Sequence, residues 1–250
     1  MMLEGNSLKR DFMKFIIPSI VAQWVFALYT MVDGIFVARG VSEVALTAVN
    51  IVMPYIMALY AVSILFAVGT STVVAIKLGE KDGRKANEIF TQNIVLLTIF
   101  SVVITVVVML NLKPVAAFLG ATEVNMEYVL EYLGSIVPFS GLFILSYSFE
   151  TLIKTDGYPK RATAIVTIGS AVNVILDYFM VMRWHMGIGG AALATGIAHV
   201  LLITLYLVHF CGKKGTIKFC RFKPDIPLVW REFKNGLPSG ITELSTGLII

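Results

Sequence analysis

The chain has 250 residues, 57% of them hydrophobic and only 14% charged, with a net charge of +4. Soluble domains carry about 25% charged residues, so this composition excludes an ordinary soluble globular protein. The positive balance would suggest nucleic acid in a soluble protein, but here it is distributed as a topology signal and implies no nucleic-acid partner.

After a polar start from Glu4 to Lys14, a first apolar span is expected at 15–38, with Pro18 tolerated near a helix beginning. Further spans are expected at 48–76, 89–112, 128–153, 162–182 and 188–211, and a seventh begins near Gly236. Asp33 is the one charge between Lys14 and Arg39, and no charge occurs between Glu43 and Lys77 or between Glu88 and Lys113. A bilayer-crossing helix needs roughly 20 apolar residues, so these windows are long enough. The fold class is therefore an all-α polytopic membrane protein: a six-helix lobe (1–212), a basic linker (213–235) and the start of a seventh helix (236–250).

Lysine and arginine fix the expected orientation. Seventeen of the twenty fall on one side: in the N-terminal segment, after spans two and four, and above all in the seven-cation loop from Lys213 to Lys234. Only Arg39, Lys113 and Arg183 fall on the other side. The positive-inside rule then makes the N-terminus cytoplasmic. Cys211 and Cys220 lie in or beside the basic loop, where thiols stay reduced, so neither a disulfide nor a zinc site is expected. The first apolar segment is too long for a cleavable signal and reads as a retained span.

The seventh segment resembles the first. Lys14-Phe-Ile-Ile-Pro18-Ser19 aligns with Lys234-Asn-Gly-Leu-Pro238-Ser239, and Gln23 aligns with Glu243. A repeat starting after six spans points to two parallel halves, as in several transporter folds. The chain is then expected to be a fragment, one lobe plus the first helix of the next.

The chemistry lies in the buried polar groups, because carboxylates in lipid-embedded helices are costly and mark function. Asp33 stands six residues before Arg39, and Asp177 six before Arg183, so the two share a depth in the outer half. Asn173 is one turn from Asp177 on the same helical face. Thr195 sits at a similar level in the small-residue run 187–196, which is expected to bring spans five and six face to face. These oxygens suit a hard cation such as Na+, and two nearby carboxylates also make a proton acceptor. The alternative is two acids near the outer interface that bond only to backbone or water. His199 is expected to make an interhelical hydrogen bond rather than relay protons. The eleven Met and sixteen Phe are expected to pack or face lipid more often than line a cavity.

Across nearly its whole length the chain resembles the multidrug and toxic compound extrusion (MATE) family. The likeness is carried by Pro18-Ser, Tyr29-Thr-Met-Val-Asp33-Gly-Ile-Phe-Val, Gly69-Thr-Ser-Thr, Lys77-Leu-Gly-Glu-Lys-Asp-Gly-Arg-Lys-Ala86, Asp156-Gly-Tyr-Pro-Lys160, Asn173-Val-Ile-Leu-Asp177 and Gly190-Ala-Ala-Leu-Ala-Thr195. The resemblance implies half of a twelve-helix, two-lobe transporter that works by alternating access. It implies plasma-membrane export of amphipathic or cationic compounds in exchange for H+ or Na+, by a protein that is monomeric when full length. It also implies a coupling site at Asp33, Asn173, Asp177 and Thr195, with Tyr29 beside it. Where relatives often have Asn and Arg at the end of span four, this chain has Glu150 and Lys154. These read as an i,i+4 pair, or Glu150 is an extra acid in the substrate cavity. Glu243 matches a second-lobe carboxylate of the family.

No phosphate-binding loop, His-Glu-x-x-His zinc motif or Gly-x-Ser-x-Gly elbow occurs, which argues against ATP drive, an enzyme and any cofactor beyond the coupling ion. The alternatives are a flippase for lipid-linked sugars on a related fold and a truncated fragment that transports nothing.

Overall fold

The computed structural model describes residues 2–212 and 215–249. Lys213, Lys214 and Ile250, and the side chains of Lys9, Arg10 and Lys14, lie outside the described residues. The long helices are α1 (Met2–Gly40), α2 (Glu43–Gly79) and α3 (Gly83–Leu110), followed by the short α4 (Leu112–Phe118). Next come α5 (Met126–Ile136), a 3₁₀ turn (Val137–Phe139) and α6 (Ser140–Thr155). The series ends with α7 (Pro159–Asp177), a π-helical segment (Tyr178–Arg183), α8 (Gly187–Phe210) and α9 (Ile226–Ile249). Among the described residues, six segments are long and apolar enough to cross a bilayer: α1 from Ile16, α2, α3, α5 through α6, α7 with its π segment, and α8. The protein is a multi-pass membrane protein.

Three local details depart from the sequence reading. Pro18 is interior to a continuous helix, because α1 extends back to Met2. An interior proline removes one backbone bond, and Thr163 of α7 donates its hydroxyl to the Pro18 carbonyl at 2.8 Å, tying α7 to α1 there. The fourth span breaks at Pro138, where a 3₁₀ turn joins α5 to α6. The linker region turns helical at Ile226, ten residues before the expected seventh span, with Asp225 Oδ1 accepting from Leu228 N at 3.1 Å as a helix cap.

The burial pattern is that of a bundle in lipid. On α3 the exposed face is Ile99, Val102, Val103, Val106 and Val107, while Thr91, Gln92, Asn93 and Ser101 point inward. Polar groups inside lipid are best bonded within the protein, and several here are. Asn93 donates to Ser148 at 3.0 Å, Tyr55 and Ser140 share a 2.6 Å bond, and Ser63 donates to the Ile144 carbonyl. Close approach is set by glycine. A Cβ at Gly196 would sit 2.4 Å from the Phe139 ring, and one at Gly169 would sit 2.5 Å from Leu202. The small-residue run at the start of α8 thus packs on α5 and its 3₁₀ turn as well as on α7 and the π segment. Glu131 of α5 accepts from Gly189 N at 3.1 Å and so caps α8.

The ends of α2, α6 and α8 and the starts of α3, α7 and α9 meet at one end of the bundle, and most described lysines and arginines are there. At this basic end the segment between α8 and α9 is strapped down. Asp156 is the knot: Oδ1 accepts from Thr216 N at 2.9 Å, Ile217 N at 3.1 Å and the Thr216 hydroxyl, while Oδ2 meets His209 Nε2 at 3.0 Å. Along α3, Asn87 Oδ1 accepts from Lys218 N, Thr91 Oγ1 from Cys220 N and Gln92 Oε1 from Asp225 N. Phe219 inserts between these bonds, 4.8 Å from the Phe90 ring, which itself stacks on Phe210 at 4.6 Å.

Hydrogen bonds to a buried carboxylate contribute about 1.5–3 kcal/mol each and leave unsatisfied donors when removed. Asp156→Ala is therefore expected to destabilise the strap by about 3 kcal/mol, raising amide exchange at 216–220 roughly a hundredfold in hydrogen–deuterium exchange. Gln92→Ala, which loses neutral bonds only, is expected to cost about 1 kcal/mol.

Candidate functional site

The first and fifth apolar segments run side by side. Gly40 at the end of α1 is so close to the π segment that a Cβ there would lie 2.7 Å from Val181 Cγ1. A few residues deeper, Asp33 of α1 and Asp177 of α7 face each other. Asp177 is fully buried, and neither of its carboxylate oxygens has a hydrogen-bond partner in the structure. Asp33 Oδ1 is equally unpartnered. The two carboxylates lie within hydrogen-bonding reach of each other. When ionised, both are acceptors only and offer each other no donor.

Asn173 lies one turn before Asp177 and donates Nδ2–H to Thr195 Oγ1 at 3.2 Å, bridging α7 to α8. Its Oδ1 is buried and unpartnered. Four buried oxygens without donors (Asp33 Oδ1, Asn173 Oδ1 and both of Asp177) thus gather from α1 and α7 beside the Thr195 hydroxyl. Asp177 is the last α-helical residue before the π segment, where Trp184 N and Met186 N reach back to the carbonyls of Phe179 and Met180. Such π turns are rare and concentrate at functional positions.

Tyr29, one turn before Asp33, lies within electrostatic reach of both carboxylates and meets Phe26 edge-on at 5.1 Å. Tyr132 of α5 was not apparent in the sequence, yet it is buried and within reach of Asp33, Asp177 and Tyr29. Its span carries several hydroxyl-bearing residues, Tyr128 and Tyr147 among them, and nothing in the local sequence sets Tyr132 apart.

A cavity of about 420 Å³ opens beside these groups, lined among others by Gln23, Tyr29, Asn173, Thr195, Glu150 and Glu243. Asn173 and Thr195 form the boundary between the carboxylate pair and the cavity. Glu150 bonds Lys154 at 2.7 Å, the i,i+4 pair expected from sequence, and still lines the cavity. Phe26 and Met57 are the phenylalanine and methionine among the lining residues. His199 differs from expectation. Its Nδ1–H donates to the Thr195 carbonyl of its own helix at 2.9 Å, not across to a neighbour, and its ring lies 4.2 Å from Phe143. The mid-span histidine one turn after Thr195 finds its acceptor in the local backbone, which leaves the other ring nitrogen to the cavity side.

Comparison with known proteins agrees with this architecture. A multidrug export protein, MepA of Staphylococcus haemolyticus, is 23% identical over 252 residues, covering 99% of this chain and 56% of the relative. MepA of Staphylococcus saprophyticus is 22% identical, over 98% of this chain and 55% of its own length. Among solved structures, a MATE protein in complex with MaD3S superposes with a TM-score of 0.88 at 24% identity, covering 96% of this chain and 55% of that one. A transporter of the MOP superfamily from Pyrococcus furiosus, described as having a binding pocket of reverse polarity, superposes at 0.87 with the same identity. The chain spans about half the length of these relatives. The MatE family model matches residues 18–179, which takes in Asp33, Glu150, Asn173 and Asp177, and the chain belongs to this family.

Proposed function

We propose that this lobe serves a secondary active transporter that exports amphipathic or cationic small molecules in exchange for H+ or Na+, with the basic end of the bundle cytoplasmic in the plasma membrane. The observation that carries the proposal is the pair of buried carboxylates, Asp33 and Asp177, facing each other without a donor at the edge of a cavity. A buried unpaired charge is tolerated only when a counter-charge can visit it. A proton or sodium ion held there joins α1 to α7, and its release frees the two helices to part. A cavity that shares Asn173 and Thr195 with the ion site gives the substrate a route to bias the same equilibrium. The relatives named above are transporters, and two of them are named for multidrug export.

The cavity's other end carries Glu150 and Glu243 among Tyr60, Tyr147 and Tyr206. Carboxylates flanked by aromatic faces favour organic cations.

In the intact protein, Asp177→Asn is expected to reduce ethidium efflux to background while membrane insertion is unchanged; undiminished export would remove Asp177 from the coupling site. Efflux measured against pH at zero and at high Na+ identifies the ion. Dependence on the proton gradient alone assigns H+, and rescue by Na+ at collapsed proton gradient assigns Na+. Glu150→Gln is expected to lower export of a cationic dye by about fivefold, the scale of roughly 1 kcal/mol for one partly exposed charge contact. Export of a neutral substrate of similar size should be unchanged, and an equal loss for both would make Glu150 structural.

A further inference from the structure

The most extensive helix contact among the described residues is between α2 and α9, and the two backbones come very close there. A Cβ on Gly69 would sit 2.0 Å from the Glu232 carbonyl oxygen, and a Cβ on Gly236 would sit 1.7 Å from the Leu65 carbonyl. Gly240 continues the same face against Leu65, so Gly236-x-x-x-Gly240 forms the small-residue seam that lets two helix backbones touch. Phe66 and Phe233 close one flank, with ring centroids 6.4 Å apart.

In the middle of this dry crossing sits a carboxyl group. Glu232 is 1% exposed, and its Oε1 has no hydrogen-bond partner. Across from it on α2, Thr70 is fully buried and its Oγ1 is likewise unpartnered. Thr70 lies close enough to act on the glutamate, yet the two atoms do not meet in a well-formed hydrogen bond. The other charged group bearing on Glu232 is Asp225 of the strap, which is itself held by Lys85 of α3 at 3.6 Å. Arg231 beside it on α9 points outward and exposed. No cation therefore offsets a negative charge at this crossing among the described residues, and the Coulomb effect of Asp225 opposes one.

We propose that Glu232 is a second proton-binding site of this protein, and that its neutral carboxylic acid bridges to Thr70 and fastens α9 onto α2 at the basic end. What the geometry lacks is a counter-charge. Thr70 can donate its hydroxyl to either form of Glu232, but only the neutral acid leaves no uncompensated charge in the seam, and its own O–H can also donate to Thr70 Oγ1. Once ionised, the carboxylate needs water, and the seam must part to admit it. Burial, with Asp225 adding to it, pushes the Glu232 carboxyl up from 4.5 to about 7 in the closed contact, with Thr70 opposing part of the rise. A raised carboxyl favours closure at low pH. The seam is therefore tightest below about pH 4.5, weakens as pH rises towards about 7, and changes little above that. Because α9 follows the strap and α2 belongs to the six-helix lobe, the proton bears on the end read above as cytoplasmic, far along the bundle from Asp33 and Asp177.

The test uses the intact protein in lipid nanodiscs without drug or sodium, with Cys211 and Cys220 replaced by serine and spin labels at positions 84 and 235. Pulsed electron–electron resonance from pH 4 to 8.5 should show one short distance at low pH and a second, longer population that grows to a plateau near neutrality. Glu232→Gln, a neutral isostere, should hold the short distance at every pH. Asp177→Asn should leave the titration unchanged, which separates this site from the coupling site. A distance distribution indifferent to pH would overturn the proposal, as would a Glu232→Gln protein that titrates like the parent or stays open throughout. A pH response lost in Asp177→Asn but kept in Glu232→Gln would instead assign the effect to the carboxylate pair.

Discussion

The bundle is arranged around two carboxylates that bring no donor to each other. Asp177 is fully buried with both oxygens unbonded, and across the α1–α7 contact it faces Asp33, whose Oδ1 is buried and unbonded as well. In a low dielectric, two negative charges at such range repel by several kcal/mol. Among the described residues, no lysine or arginine pairs with them as in a structural ion pair. The surrounding structure keeps nearby groups that are polar but uncharged: Asn173 with Thr195, and the rings of Tyr29 and Tyr132. On the function proposed above, a coupling ion held there completes the site, and the helices that carry the two acids inherit a dependence on it.

The packing around the pair fits that dependence. Helices that must change neighbours cannot be stitched together by many side-chain bonds, and small residues let them lie close with few such bonds. Gly40 against the π segment and Gly196 against Phe139 bring backbones together through bare contact. The strong polar bonds are concentrated elsewhere, in Asp156 with the strap and in Asn93 with Ser148. Rigid and yielding contacts thus occupy different parts of the same lobe.

Much of this was legible in the sequence because membrane physics leaves few options. Charge-free windows fixed the spans, and equal spacing from Arg39 and Arg183 placed Asp33 and Asp177 at one depth, where the structure brings them together. The i,i+4 relation of Glu150 and Lys154 was visible for the same reason. What was not legible depended on contacts between segments distant in sequence. Tyr132 has no neighbour in the chain that marks it as part of the site. The Pro138 break and the π turn after Asp177 leave no spacing signature. His199 was expected to reach across to a neighbour, but the carbonyl one turn back was nearer. The sequence marked the segment 213–235 only as a basic linker. Its backbone amides are instead matched to Asn87, Thr91 and Gln92 on the inward face of α3, a pairing that no local pattern in either segment reveals.

That strap also determines how α9 is held. Bonded from Thr216 to Asp225, the connection behaves as a fixed bracket, and Asp225 is at once its last anchor and the cap of the next helix. A helix mounted on such a bracket, and packed backbone to backbone on α2 at Gly69 and Gly236, has both its starting point and its direction set. The basic segment therefore acts as a mount, and the stiffness of its bonds to α3 decides how firmly the first turn of α9 is held.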